Sequence, residues 1–274
     1  MGLNKLAIVS STILLLFISS SLLVTSQEVE DEHEFNYDIE DEEHGPEKWG
    51  ELHKEWAACG KGKLQSPIDL SDDRVDVQSH LGLLNRSYRP AAAVLKNRGH
   101  DIMLRFDEDA GSTSINGTKY PLKQLHWHSP SEHTVNGRRY SLELHMVHQT
   151  ADDKLAVVGI LYKLGRPDPF LAEMEGYIKK LEGLVEKEEK VGTIDPRHIK
   201  RGSRKYYRYL GSLTVPPCTE GVVWTIVKKI RTVSRKQMNL LREAVHDDFN
   251  PNARPTQEMN DRTINFYRPK KLQY

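Results

Sequence analysis

The spacing of apolar positions changes character along the chain. Between residues 91 and 164 the apolar runs are short and of strand type. "AVLKNRGHDIMLRF" reads as two strands around a tight break at Asn97-Arg98-Gly99. "PLKQLHWHS", "YSLELHMVHQT" and "LAVVGILYKL" are further runs bounded by turn residues. Asn136-Gly137, between the first two, is the strongest hairpin signal in the chain. Further on the period lengthens. In "DPFLAEMEGYIKKLEGLVEKEE" the residues Phe170, Met174, Ile178, Leu181 and Val185 fall at helical spacing. "SRKQMNLLREAVHD" predicts a second helix, opened by a Ser234/Gln237 capping box. Many short strands with few helices predict a mostly-β, α+β fold around one large sheet. No linker, low-complexity block or repeat interrupts it, so a single domain from about residue 45 to 274 is the simplest division.

Strand parity sorts the histidines of "KQLHWHSPSEHTVNGRRYSLELHMVHQT". Gln124, His126 and His128 share one face of the first strand, with Leu125 and Trp127 on the other. Glu143, His145 and Val147 share a face of the second. If the strands pair around Asn136-Gly137, three imidazoles converge at the ~2.0–2.1 Å reach of a zinc site. Three neutral histidines with an open fourth position define a catalytic site, where bound water has its pKa lowered to about 7. Gln124 and Glu143 each precede a candidate ligand by two residues, on the same face, and are placed to accept its second ring N–H. His133, beside Glu132, reads as a hydrogen-bonded structural histidine. His148 faces away from His145. His53, His80, His198 and His246 read as surface residues. "HWHSPSE" also fits the H-x-H-x3-E core of a cupin metal motif, with Glu132 as a ligand. Tyr120 and Arg139 stand where that motif has glycines, and its second half is missing, so the three-histidine reading is preferred.

Composition narrows the class. The 274 residues carry zero formal net charge, with 28% charged side chains, which gives no electrostatic reason for nucleic-acid binding. A mean hydropathy of −0.61 argues against a polytopic membrane protein. The opening "MGLNKLAIVSSTILLLFISSSLLVTSQ" has one lysine, an apolar centre and then small residues. It reads as a signal peptide over residues 1–26, the alternative being a membrane anchor, which its serines disfavour. Residues 27–44 are strongly acidic and are expected to be mobile or to lie on the surface. Export puts the two cysteines, Cys59 and Cys218, in an oxidising compartment, where they either form one disulfide or stay as buried thiols. Export also makes Asn85 and Asn116, each in an N-x-[ST] sequon, candidate glycosylation sites. No membrane association is expected after leader removal, and a monomer or homodimer is expected. The destination is extracellular, or a chloroplast or other compartment reached by the secretory route.

At this point a family resemblance appears. "GPEKW", "QSPIDL", "KNRGHDI", "QLHWHSPSEHTVNGRRYSLELHMVH", "LAVVGIL", "YLGSLTVPPCTEGVVWTI" and "NPNARPTQEMNDR" occur in an order that resembles the α-class carbonic anhydrases. The secreted plant branch is the nearest likeness, and it runs from about Tyr37 to Tyr267. The resemblance implies a twisted, mainly antiparallel central sheet with peripheral helices and a conical cleft over Zn2+. It implies reversible hydration of CO2 to bicarbonate and a proton. His126, His128 and His145 would be the zinc ligands, supported by Gln124, Glu143 and the backbone carbonyl of Asn252. Thr214 would accept a hydrogen bond from zinc-bound hydroxide and donate to Glu132, an orientation effect. Val147, Val157, Leu213, Val222 and Trp224 would wall the substrate pocket. His100 would relay protons, with a histidine's ordinary pKa near ~6.5, and Tyr37 would help order cavity water. Cys59 and Cys218 match the disulfide pair of secreted members. Val215 departs from the threonine common in animal members and is expected to alter product and inhibitor contacts. Arg98 and Met103 replace asparagines of the water path, and the Arg98 charge is expected to lower the pKa of His100. Relatives in plant secretions and storage organs include storage or defence proteins, some credited with monodehydroascorbate reductase activity. This is the competing reading, with the two cysteines as redox candidates.

Overall fold

The computed structural model describes residues 34–245 and 251–269. The leader segment, residues 1–26, and His246 lie outside them. Ten strands form the path of one large mixed sheet: β1 Val75–Val77, β2 Ala91–Asn97, β3 Ile102–Phe106, β4 Thr118–His128, β5 Leu142–Gln149, β6 Leu155–Leu164, β7 Glu188–Ile194, β8 Tyr206–Ser212, β9 Glu220–Val227 and β10 Ile264–Tyr267. Their spatial order is β1-β10-β8-β9-β6-β5-β4-β3-β2-β7. Neighbours along it are antiparallel except β1 with β10 and β6 with β9, which are parallel.

Side-chain alternation gives the sheet two different faces. On one, Leu125, Trp127, Leu144, Met146, Val158 and Ile160 form the main core. That core is covered by the helices α1 (Pro169–Ile178) and α2 (Arg235–Ala244), through residues such as Phe170, Met174 and Leu241. On the other face, Val147, Val157, Leu161, Tyr209, Trp224 and Ile226 form a second cluster. The capping box of α2 is present in full, with Ser234 accepting from the Gln237 backbone and Gln237 accepting from that of Ser234. Asp168 caps α1 through the N–H groups of Phe170 and Leu171.

Three local expectations change. The helical run stops after a 3-10 turn at Lys179–Leu181 and does not reach Val185. Gly183 and Glu186 turn the chain with positive φ, and Leu184 and Val185 have no core to meet and are exposed. The Asn136-Gly137 turn is real, with both residues at positive φ as a type I′ turn requires. It closes a separate two-stranded ribbon, Thr134–Val135 with Arg138–Arg139, set within the β4–β5 connection. β4 and β5 pair directly with each other without it. The acidic N-terminal segment is not loose from residue 35 onward. Phe35 and Tyr37 are buried against Trp49 and Trp56, beside Cys59 and Cys218. Two aromatic rings outweigh the flanking carboxylates there, so the folded unit begins about ten residues earlier than the charge pattern suggests.

Candidate metal centre

β4 carries a register irregularity between Leu122 and Gln124. Before it, Tyr120 and Leu122 face the main core; after it, Leu125 and Trp127 do. One extra residue flips the parity, as a bulge beside a functional site does. Gln124, His126 and His128 therefore face away from the core. The register sets His126 directly opposite His145, Gln124 opposite Val147 and His128 opposite Glu143. On the next strand His145 meets Gly159. A Cβ at Gly159 would lie 2.5 Å from Ile226 Cδ1 and 3.0 Å from Glu143 Oε1. The glycine is what lets the Glu143 carboxylate tuck beneath the histidine.

Each imidazole is fixed by one nitrogen. Gln124 Oε1 lies 2.8 Å from His126 Nδ1, the Asn252 carbonyl 2.6 Å from His128 Nδ1, and Glu143 Oε1 2.9 Å from His145 Nε2. The three remaining nitrogens, two Nε2 and one Nδ1, turn toward one another. One ligand atom from each histidine lies within 4.8 Å of the others. All three rings are buried. His128 Nε2 has no hydrogen-bond partner among the described residues. A buried imidazole nitrogen without a partner, in a cluster of three, fits a divalent metal of borderline softness such as zinc.

The electrostatics favour the neutral, ligating form at two of the three rings. Burial holds His126 well below the usual imidazole pKa and lowers His145 also, so both are neutral and able to ligate. Burial alone would depress His128 too, but the Glu132 carboxylate and the Asn252 carbonyl reverse it and the net shift is upward. Burial would raise Glu143. His133 and His145 beside it reverse this and hold it well below the carboxylate range. Glu143 is the hub of this region. Its Oε2 accepts the backbone N–H groups of Glu132 and His133, and its Oε1 lies 2.7 Å from His133 Nδ1. His133 Nε2 in turn lies 2.6 Å from the Tyr209 hydroxyl, which meets Ser66 Oγ at 2.8 Å. His133, Glu143 and His145 also form a compact donor cluster. Each of those groups is already committed within the relay, which makes this cluster a support for the other.

The remaining predicted residues fall around the centre. Glu132 Oε1 accepts the backbone N–H of Arg254 at 3.0 Å. Its Oε2 has no hydrogen-bond partner among the described residues and lies 3.6 Å from His128 Nε2. The Thr214–Glu132 bond implied by the resemblance is thus not formed through Oε2 here, and Thr214 is buried in the turn after β8. Val147, Val157, Leu213, Val222 and Trp224 belong to one apolar cluster, with Trp224 4.8 Å from His145 between ring centroids. Val215 lies in the adjacent cluster with the cysteines, which form the Cys59–Cys218 disulfide. His148, on the core face, has its ring nitrogens 2.7 Å from the Tyr88 hydroxyl and 3.1 Å from the Ala156 carbonyl.

His100 changes most. Its ring is buried beside Phe35, at 5.5 Å, and Tyr37, and neither ring nitrogen has a hydrogen-bond partner among the described residues. Burial first, with Asp101 opposing and Arg98 adding, lowers its pKa to about 4. The relay expectation assumed an ordinary pKa, and the aromatic cover removes that premise. Arg98 has the expected sign but is a lesser cause, because its charge is paired with buried Asp101. Met103 is buried opposite His126.

The sequence reading gave Asn252 only a backbone role and missed Arg254 altogether. Arg254 donates to Gln65, Ser66 and Cys59 oxygens while its own backbone holds Glu132. The Asn252 side chain binds the carbonyls of His100 and Trp127 and accepts from Ser129 N–H. Both sit in "NPNARP", part of a stretch that carries the family resemblance, but local pattern alone gives no sign of these side-chain bonds.

A mixed ten-strand path bearing three convergent histidines on its polar face defines a class. The chain belongs to the eukaryotic-type carbonic anhydrase family, whose model matches residues 44–268. It is 61% identical over 253 residues to alpha carbonic anhydrase 7 of Arabidopsis thaliana, covering 91% of this chain and 90% of that one. Among solved structures, dioscorin complexed with ascorbate superposes with a TM-score of 0.84 at 47% identity, covering 87% of this chain and 99% of that one. The alpha-carbonic anhydrase of Thermovibrio ammonificans, with the inhibitor sulfanilamide, gives 0.76 at 34% identity over 84% of this chain and 98% of that one.

Proposed function

We propose that the chain is an exported, zinc-dependent carbonic anhydrase that interconverts CO2 and bicarbonate. It is made with a leader over residues 1–26 and carries glycans at Asn85 and Asn116, both exposed. One observation carries the reading: three buried imidazoles turn their inner nitrogens together while each outer nitrogen is held by its own acceptor. His126 and His128 would hold zinc through Nε2 and His145 through Nδ1. Zinc bound there supplies Lewis acidity that lowers the pKa of water to about 7.

The chain's own residues supply the rest. Gln124, Asn252 and Glu143 fix the ring orientations and tautomers. Val147, Val157, Leu213, Val222 and Trp224 offer an apolar wall to an uncharged, weakly hydrated gas, and Val215 extends it toward the disulfide. Glu132 is held on Oε1 by Arg254, which leaves Oε2 to accept the Thr214 hydroxyl proton. Thr214 so anchored turns its oxygen acceptor toward the nucleophile and orients it. Stopped-flow CO2 hydration tests this. Thr214→Ala and Glu132→Gln should each lower kcat/KM by about 10²-fold, the scale of a lost orientation, with zinc content kept. Unchanged rates would remove both residues from the mechanism.

The dioscorin–ascorbate neighbour favours a second reading, a storage or defence protein with monodehydroascorbate reductase activity. Cys59 and Cys218 are its redox candidates, and both are buried in the disulfide. Ascorbate-radical reduction lost in Cys59→Ser and Cys218→Ser would support it. Equal activity in these variants would exclude a cysteine route.

A further inference from the structure

A cavity of about 290 Å3 opens between Leu83–Arg86, the Arg201–Lys205 segment and the start of β8. Tyr206, which lines it, belongs to the main core, whereas Tyr207 belongs to the cluster on the histidine face. The cavity is therefore separate from the metal centre. Arg86, Arg201, Arg204 and Lys205 line it, and no carboxylate does. Among the described residues none of these four is in an ion pair.

Two of the cations are held by the backbone. Arg86 Nη1 donates to the Ile199 carbonyl at 3.4 Å, and Arg201 Nη1 donates to the Leu84 carbonyl at 3.2 Å. Each arginine thus reaches across to the segment that carries the other. Each bond uses one N–H of a five-donor fork. Arg201 is half-buried, and burial followed by the nearby Arg86 lowers its pKa. Arg86 lies 5.8 Å from the Tyr88 ring, which offsets part of its cost. Arg201 has no such ring contact among those described. Clustered, partly desolvated guanidinium groups without a counter-ion oppose folding unless an anion joins them. Planar forks match the oxygens of a phosphate group bidentately. The volume lies at the low end of small-molecule pockets, roughly 300–1,000 Å3, which suits a compact ligand and not a polymer.

We propose that this cavity is a second ligand site, taking a compact phosphate-bearing anion, either free phosphate or a small phosphate ester. Calorimetric titration of the zinc-loaded chain at low salt with orthophosphate, pyrophosphate and glucose 6-phosphate tests it, in an Asn85→Gln background because Asn85, proposed above to carry a glycan, also lines the cavity. At least one should bind saturably, and Arg201→Gln should weaken that binding by about tenfold, the loss of one charge-assisted hydrogen bond. Added salt should weaken it too. Anion bound at the metal centre would be indifferent to Arg201→Gln, so the variant isolates the cavity. CO2 hydration should be unchanged in it. Arg201→Lys, which keeps the charge and loses the fork, should fall between wild type and Arg201→Gln, and it serves if the glutamine variant folds poorly. Orthophosphate binding as tightly as the ester would point to free phosphate, and a tighter ester to a phosphorylated metabolite. Saturable binding by none of the three, or equal affinity in wild type and both variants, would overturn the proposal.

Discussion

His145 and His148 sit three residues apart on β5, both buried, on opposite faces of the sheet. His145 is held on one side by an anion, Glu143, and its other nitrogen turns toward two more imidazoles. His148 is held by a phenol and a carbonyl, and it belongs to no metal-donor cluster among the described residues. Burial is the main cause that lowers the pKa of both, His148 to about 4. Neutrality therefore does not make a ligand. What separates the two is the partner on the second nitrogen and the company on the first.

The comparison can be broken from either face. The largest expected effect is at the centre: His126→Asn should abolish zinc binding and lower CO2 hydration by more than about 10³-fold, since every later step depends on the metal. Zinc analysis with stopped-flow kinetics reads both. On the opposite face, Leu144→Ala removes a fully buried core side chain one residue from His145. It should cost about 2–5 kcal/mol in denaturant unfolding and leave zinc stoichiometry unchanged.

The pH dependence of stability sharpens the contrast. The folded-state pKa of His148 lies below its unfolded value of about 6.5, so the unfolded chain takes up the proton first. Its contribution is present above about pH 6.5 and is lost as pH falls toward about 4, by up to ~3 kcal/mol. Unfolding free energies at the two ends of that window should differ less in His148→Gln than in wild type. Equal slopes would show that His148 is not held neutral. Glu143→Gln should weaken zinc by about 10–100-fold by removing the anion behind His145, and should also lower unfolding stability, because an amide cannot serve all four groups that now share the carboxylate. The smallest effect is at His100. His100→Ala should slow turnover in weak buffer by less than about tenfold, against the ~10²-fold or more of a working proton-transfer group.

Alternation in "QLHWH" and "ELHMV" was enough to divide the convergent histidines from the core residues, because the sheet reads one side chain out of two. The two-residue offset of Gln124 and Glu143 was legible for the same reason. The bulge before Gln124 was not, since Lys123 carries no local mark of it. Nor was the choice of nitrogen on each ring: Gln124 and Glu143 both lie two residues before their histidines, yet one meets Nδ1 and the other Nε2, and the His128 acceptor, Asn252, is 124 residues away. The cover over His100 was hidden for a different reason. Phe35 and Tyr37 sit among carboxylates whose charge pattern suggests a solvated tail, and only the tertiary contact with Trp49 reverses that.

The proposed function requires that the His126, His128 and His145 cluster hold zinc for CO2 hydration. Zinc content and hydration rate, measured on the same purified protein before and after chelator extraction, test it most directly. The expected result is stoichiometric zinc, with activity lost on extraction and restored by zinc. Full activity in metal-free protein would contradict it.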